Sequence, residues 1–208
     1  MLTISFQRAV NDIAGVAAVL IQPRPVFFFH LEEEVMMFLS IHSGDILSDK
    51  ESDTIVLPID AGGPGMVGNL ASQFMKAVGV EEMHELYAPP PSYPFNGDAH
   101  WSSLAHFPDT EFDNLCVVGT LSHSSGADHK AYARSALTEV LGMGGCDPGF
   151  GQVIACPVLT GGHRIPYVDA VFLMMSVVDE MARSMVCELR IFEKDPEKFG
   201  ILQSVARV

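Results

Sequence analysis

Short apolar runs that stop at glycine turns and give way to helical patterns constrain this chain most. Residues 54–59, TIVLPI, end in Asp60-Ala61-Gly62-Gly63-Pro64-Gly65-Met66. Met66, Leu70, Phe74 and Ala77 then fall at helical spacing, and Gly79 stops the pattern. Residues 153–158 repeat the arrangement, followed by Thr160-Gly161-Gly162-His163-Arg164-Ile165 and a helical pattern from Tyr167 to about Met185. Apolar runs this short have the length of buried strands. Strands alternating with helices predict a sheet covered on both faces, and hence an α/β fold.

The remaining punctuation agrees. Residues 2–6, 16–22, 26–30, 35–41, 115–119 and 186–192 read as further strands, with Pro23 and Pro25 separating the second from the third. Asp128 is placed to cap a helix running to about Leu141, and residues 142–151 read as glycine-rich loop. Residues 88–94 hold four prolines and read as loop. Asp195-Pro196 offers an N-cap followed by proline at the first helical position, which opens a final helix. The helix from Tyr167 carries Val168, Val171, Phe172, Met174, Met175, Val177, Val178 and Met181. That stripe is wide for a one-sided helix and predicts deep burial, with a subunit contact as the other reading.

A chain of 208 residues suits one large domain with a real core. Twelve Lys plus Arg against 26 Asp plus Glu leave a formal charge of −14, which opposes general nucleic-acid binding. The four cysteines, Cys116, Cys146, Cys156 and Cys187, form no CxxC pair, and all but Cys146 lie in apolar runs. Neither a disulfide framework nor a metal site is expected, and a reducing, cytoplasmic setting fits best. No stretch is long enough to span a bilayer, and residues 13–21 read as a core strand rather than a signal segment. His100, His106, His123, His129 and His163 lack paired-ligand spacing. Ser122-His123-Ser124-Ser125 lacks a nucleophile elbow and reads as a polar loop.

Function enters through the two glycine turns. Open α/β sheets bind ligands beyond the carboxyl ends of their strands. Glycine admits positive φ and lets the backbone approach a phosphate closely. Successive amides in such a turn, backed by a helix dipole, hold an anion without any net positive charge.

These pieces, in this order, resemble the macrodomain family over about residues 35–205. Gly44-Asp45-Ile46 resembles its Gly-Asp-Ile motif, and residues 54–60 its second strand. Gly97-Asp98-Ala99 resembles the step before its middle strands. Tyr132-Ala133-Arg134-Ser135-Ala136-Leu137 resembles its Tyr-Arg-x-Leu helix. Cys156-Pro157-Val158-Leu159-Thr160-Gly161-Gly162 resembles its phosphate loop. The resemblance implies a three-layer α/β/α sandwich with a mixed sheet. Residues 1–34 would be an N-terminal extension packed on the same domain, and 35–208 the macrodomain-like domain.

It implies, too, a ligand: ADP-ribose or a related nucleotide, free or on an ADP-ribosylated protein. No cofactor is implied, and homo-oligomerisation stays open. Asp45 would accept from the adenine amino group, the Ile46 amide would hold the base edge, and Phe192 would lie beside the base. Gly62, Gly63, Gly65 and Met66, with Thr160, Gly161, Gly162, His163, Arg164 and Ile165, would wrap the diphosphate and the distal ribose. Hydrolytic members carry asparagine where this chain has Leu57 and Asp60, which leaves Asp60 as the candidate base for ADP-ribosyl hydrolysis. Another subgroup pairs a helix lysine with a loop aspartate, where this chain offers Lys76 and Arg164. The alternative reading is a macrodomain-like interaction module without a ligand.

Overall fold

A computed structural model describes residues 26–28, 37–60, 68–81, 96–107, 110–182 and 187–206. The strands expected at 2–6 and 16–22, and glycine-turn residues 61–66, lie outside the described residues.

Among the described residues, seven strands form one sheet: β1 (Val26–Phe28), β2 (Phe38–Ser43), β3 (Thr54–Asp60), β4 (Ala99–Ser103), β5 (Asn114–Leu121), β6 (Val153–Pro157) and β7 (Glu188–Glu193), in the order β1-β2-β7-β6-β3-β5-β4. The inner strands β2, β7, β6, β3 and β5 run parallel, while β1 and β4 pair antiparallel at the two edges. Parallel strands are covered on both faces, which is why β3 is apolar almost throughout. Its Ile55, Leu57 and Ile59 pack with Leu115, Val117 and Ala155 on one face. Val56 packs with Cys116, Val118, Ile154 and Cys156 on the other.

Helix α1 (Asn69–Val78) closes the first face through Ala71, Phe74 and Met75. Gly79, at φ 77°, ends it in the left-handed conformation that glycine adopts without steric cost. Helices α2 (His129–Cys146), α3 (Tyr167–Met181) and α4 (Pro196–Val205) close the second face. The expected three-layer α/β/α sandwich with a mixed sheet is the architecture observed. Asp128 caps α2 by accepting from the Ala131 amide, and Asp195 caps α4 from Glu197 and Lys198. On α3, Ala170, Val171, Met174, Val177 and Val178 are buried, while Val168 and Phe172 stay exposed.

Two expectations fail, and one strand was not foreseen. Helix α2 continues through Gly142, Gly144 and Gly145, where a loop was expected. A Cβ on Gly144 would lie 2.6 Å from Cδ1 of Ile154, so glycine lets the last turns close onto β6. That packing outweighs the helix cost of glycine, about 1 kcal/mol. The strand β4, AHWSS, carries no long apolar run because it is a half-buried edge. Helix α3 ends at Met181, short of the expected extent.

Opposite the carboxyl rim, Asp53 ties three strands together. Its Oδ2 accepts from the amides of Gln152 (2.7 Å) and Val153 (2.8 Å), and its carbonyl accepts from Asp113 and Asn114. Gly151, at φ 86°, lies against this carboxylate, and a Cβ there would overlap the Asp53 side chain. Gly151→Ala combines left-handed strain with that overlap and should cost on the order of 2–3 kcal/mol in urea unfolding. A loss under about 0.5 kcal/mol, the range of ordinary surface changes, would contradict the packing described.

Cys116, Cys156 and Cys187 are buried and Cys146 is exposed, all four as free thiols. Burial pushes the Cys116 and Cys156 thiols well up and that of Cys187 up to about 11. Thiolates are the reactive species. Iodoacetamide should therefore label the native protein at Cys146 first, with the other three reacting only on unfolding. Mass spectrometry showing equal early labelling at Cys187 would overturn this.

Candidate functional site in the β3–β6 crevice

The parallel strands all deliver their carboxyl ends to one rim. From β3 the chain moves through α1 towards β5, and from β6 through α3 towards β7, on the opposite side. Neighbouring strands whose connections diverge leave a crevice between them. Here the sequence widens it. β3 pairs with β6 only through Thr54 and Ile55. Further along, Pro58 has no amide hydrogen to donate, and proline is normally kept out of sheet interiors for that reason. Pro58 and Pro157 both face the resulting cleft, whose volume is about 560 Å³. A register shift at Ile59/Asp60 against β5 turns the end of β3.

One wall is the turn between β6 and α3. Gly161 (φ 55°), Gly162 (φ 62°) and His163 (φ 71°) are consecutive residues in the left-handed region. For histidine this costs on the order of 1 kcal/mol. The glycines cannot be replaced freely. A Cβ on Gly161 would lie 3.0 Å from the Thr120 carbonyl, and one on Gly162 would lie 2.8 Å from Cδ2 of Leu121. The turn is thus pressed against the end of β5. It is closed by the Ile165 amide donating to the Thr160 carbonyl (3.0 Å) and the Arg164 amide donating to that of Gly161 (3.2 Å). The amides of Gly161, Gly162 and His163 donate to no described residue.

Helix caps divide the same way. Asp128 and Asp195 cap α2 and α4 with their carboxylates. α1 begins after Gly68 and α3 after Pro166, both without a side-chain cap. These two are the helices that start at the cleft, where Gly68, Asn69, Leu70 and Tyr167 line it. Their first amides keep the partial positive charge of a helix start.

At the far end of the cleft, Asp45 opens a short 3-10 turn, Ile46–Ser48, and its Oδ1 accepts from the Leu47 amide at 3.1 Å. Asp45 thus caps this turn, and Asp45 and Ile46 also line the cleft. Phe192 lies beside them, stacked on His42 with ring centroids 4.8 Å apart and planes 19° from parallel. Tyr167 presents its ring to Lys198, whose Nζ sits 5.5 Å from the ring centroid. Burial, then the Glu193 carboxylate, push its phenol pKa well up, so the group stays protonated.

Asp60 ends β3 with its side chain only 3% exposed, and its Oδ2 lies 2.8 Å from Nε2 of His123. His123 follows β5 on the loop to α2, and its side chain is 55% exposed. Both line the cleft.

The fold thus brings Asp45, Ile46, Asp60, Thr160, Gly162, His163 and Phe192 to one cavity. Gly161 stands behind the turn, and Ile165 is buried at 2% exposure. Arg164 is exposed, and neither it nor Lys76 is among the residues lining the cleft. Gly62, Gly63, Gly65 and Met66 lie outside the described residues. Sequence reasoning missed Pro58, Gln73, His123, Tyr167, Lys194 and Lys198 as cleft residues. His123 was legible in principle, because it lies two residues past a strand end on the binding rim.

Comparison by sequence finds no matching family model and no matching curated protein. Solved structures do match. A variant of the Oceanobacillus iheyensis macrodomain is 12% identical at a TM-score of 0.68, over 89% of this chain and 94% of that one. Another variant of it, in a structure with ADPR, is 14% identical at a TM-score of 0.59, over 88% and 97%. A Trypanosoma brucei macrodomain in complex with ADP is 11% identical at 0.61, over 81% and 68%. Likeness at such identities concerns architecture, and the architecture of this chain is the macrodomain fold.

Proposed function

We propose that this protein binds ADP-ribose in the β3–β6 crevice. The observation that carries the reading is the turn of three left-handed residues, two of which, Gly162 and His163, line a cavity that two helix starts without side-chain caps also border. A diphosphate is the group that such a wall suits, because fixed amide dipoles hold it without net positive charge. That matters in a chain of charge −14. The neighbours of the same fold whose structures are described as with ADPR or with ADP support the same ligand class.

In this reading Asp45 accepts from the adenine amino group, the Ile46 amide meets the base edge, and Phe192 flanks the ring. Thr160, Gly161, Gly162 and His163 hold the diphosphate together with Gly62, Gly63, Gly65 and Met66. Ile165 and Arg164 close and flank the turn. An open cavity of this size counts against a fold that has lost its ligand. ADP-ribosylated protein is then the natural larger partner. Cleavage of the ADP-ribosyl bond is the further step that a carboxylate at Asp60 supports.

Isothermal calorimetry with ADP-ribose tests the reading, and saturable binding at micromolar to low millimolar ligand is expected. No heat and no thermal shift at about 5 mM, above the weak end of specific affinity, would reject it. Asp45→Ala should weaken binding about 10- to 100-fold, the worth of a hydrogen bond to a charged group. Unchanged affinity in a variant that melts normally would remove Asp45 from the adenine contact. Gly162→Ala should weaken binding at least tenfold, since its Cβ collides with Leu121 and shifts the turn. Wild-type affinity would show that the turn does not hold the ligand.

A further inference from the structure

We infer that His42, which is not among the residues lining the cleft, is a positioning residue for the base: its ring backs that of Phe192 and sets the plane against which an adenine stacks. The inference deepens the ADP-ribose reading and rests on it. Phe192 lines the cleft and also a second hollow of about 310 Å³, whereas His42 lines only the second. An aromatic ring has two faces. His42 covers one face of Phe192, with centroids 4.8 Å apart and planes 19° from parallel. The opposite face is the one left for a planar base.

The pairing follows from strand register. β2 and β7 run parallel, with His42 beside Phe192 and Ser40 beside Arg190. Side chains two positions apart share a face, so Ser40, His42, Glu188, Arg190 and Phe192 emerge on the same side of the sheet. Polar contacts then fix the histidine. The Ser40 hydroxyl donates to Oε1 of Glu188 at 3.1 Å, so its oxygen accepts from Nε2 of His42 at 2.8 Å. Nε of Arg190 donates to the same Glu188 oxygen at 2.7 Å, and its Nη1 donates to Oε2 of Glu51 at 2.8 Å. Ser40 and Arg190 are both buried, where water competes little for these bonds. The chain of contacts from Glu51 to His42 thus joins the loop after β2, which carries Asp45, to the strand that carries Phe192.

The consequence for binding is preorganisation. A phenylalanine at a cavity wall can turn about its side-chain torsions, and a ligand that stacks on it has to stop that motion. A ring already stacked on a hydrogen-bonded imidazole has less freedom to lose. Stacked aromatic pairs also contribute beyond the area they bury. The base therefore meets a ring whose plane is fixed before it arrives.

ADP-ribose calorimetry on a variant series tests this. His42→Ala should weaken binding about 3- to 10-fold, the range that an aromatic pair contributes. His42→Leu, which keeps bulk without a plane, should lose as much. His42→Phe, which restores the plane, should stay within about twofold of wild type. Should His42→Ala fail to fold, the Leu and Phe variants carry the comparison, with melting curves as the check. In a Phe192→Ala background, His42→Ala should change affinity by less than about twofold, because its effect runs through that ring. A merely structural role would weaken both backgrounds alike. A loss below about threefold in folded His42→Ala and His42→Leu, a His42→Phe variant as weak as His42→Leu, or equal losses with and without the Phe192 ring would each overturn the assignment. Wild type that binds ADP-ribose while these variants bind equally well ends this inference and leaves the ligand reading standing, whereas wild type that does not bind ends both.

Discussion

The separation of β3 from β6 governs the rest of the molecule. Two parallel strands that start as partners at Thr54 and Ile55 stop pairing before their carboxyl ends. Proline at position 58 cannot complete the ladder, and the register of β3 against β5 shifts at Ile59/Asp60. Everything that lines the cavity arrives there because these strand ends diverge. α1 starts on one side of the gap, α3 on the other, and both start without a side-chain cap. The opposite ends of the same strands are held tightly by Asp53, which bonds to segments leading into both β5 and β6. One end of the sheet is clamped so that the other can be open.

The turn after β6 shows what the opening costs and what it achieves. Its left-handed run is unfavourable for His163 and confined to glycine at two positions by the Thr120 carbonyl and the Leu121 side chain. Packing on β5 holds a strained segment in one shape, and the strain is concentrated where the cavity is lined. Preorganised amides need no rearrangement to receive an anion. The charged side chains of the cleft are mixed: Asp45, Asp60 and Glu193 against Lys194 and Lys198, with the imidazoles of His123 and His163. An anion entering this cleft would therefore meet backbone dipoles rather than a net positive lining.

Much of this was legible in residue order. β3 and β6 were readable as apolar runs, because strands buried on both faces have no polar alternation to obscure them. The caps at Asp128 and Asp195 were readable from local chemistry alone. What could not be read depends on distant partners. Gly144 looks like a helix breaker until Ile154 and Cys187 are seen against it. β4 has neither length nor apolar content, and exists because β5 offers an edge. Asp60 and His123 are 63 positions apart, and only the β3–β5 pairing brings them within 2.8 Å. Arg164 carried the right charge for a phosphate, yet its backbone closes the turn and leaves the side chain outside the cavity lining.

A crystal soaked with ADP-ribose locates the ligand. Diphosphate density within hydrogen-bond distance of the Gly162 and His163 amides, with the base between Asp45 and Phe192, is the expected result. A ligand lodged elsewhere on the surface, or a crevice between β3 and β6 left without it at saturating concentration, would show that the crevice is not its site.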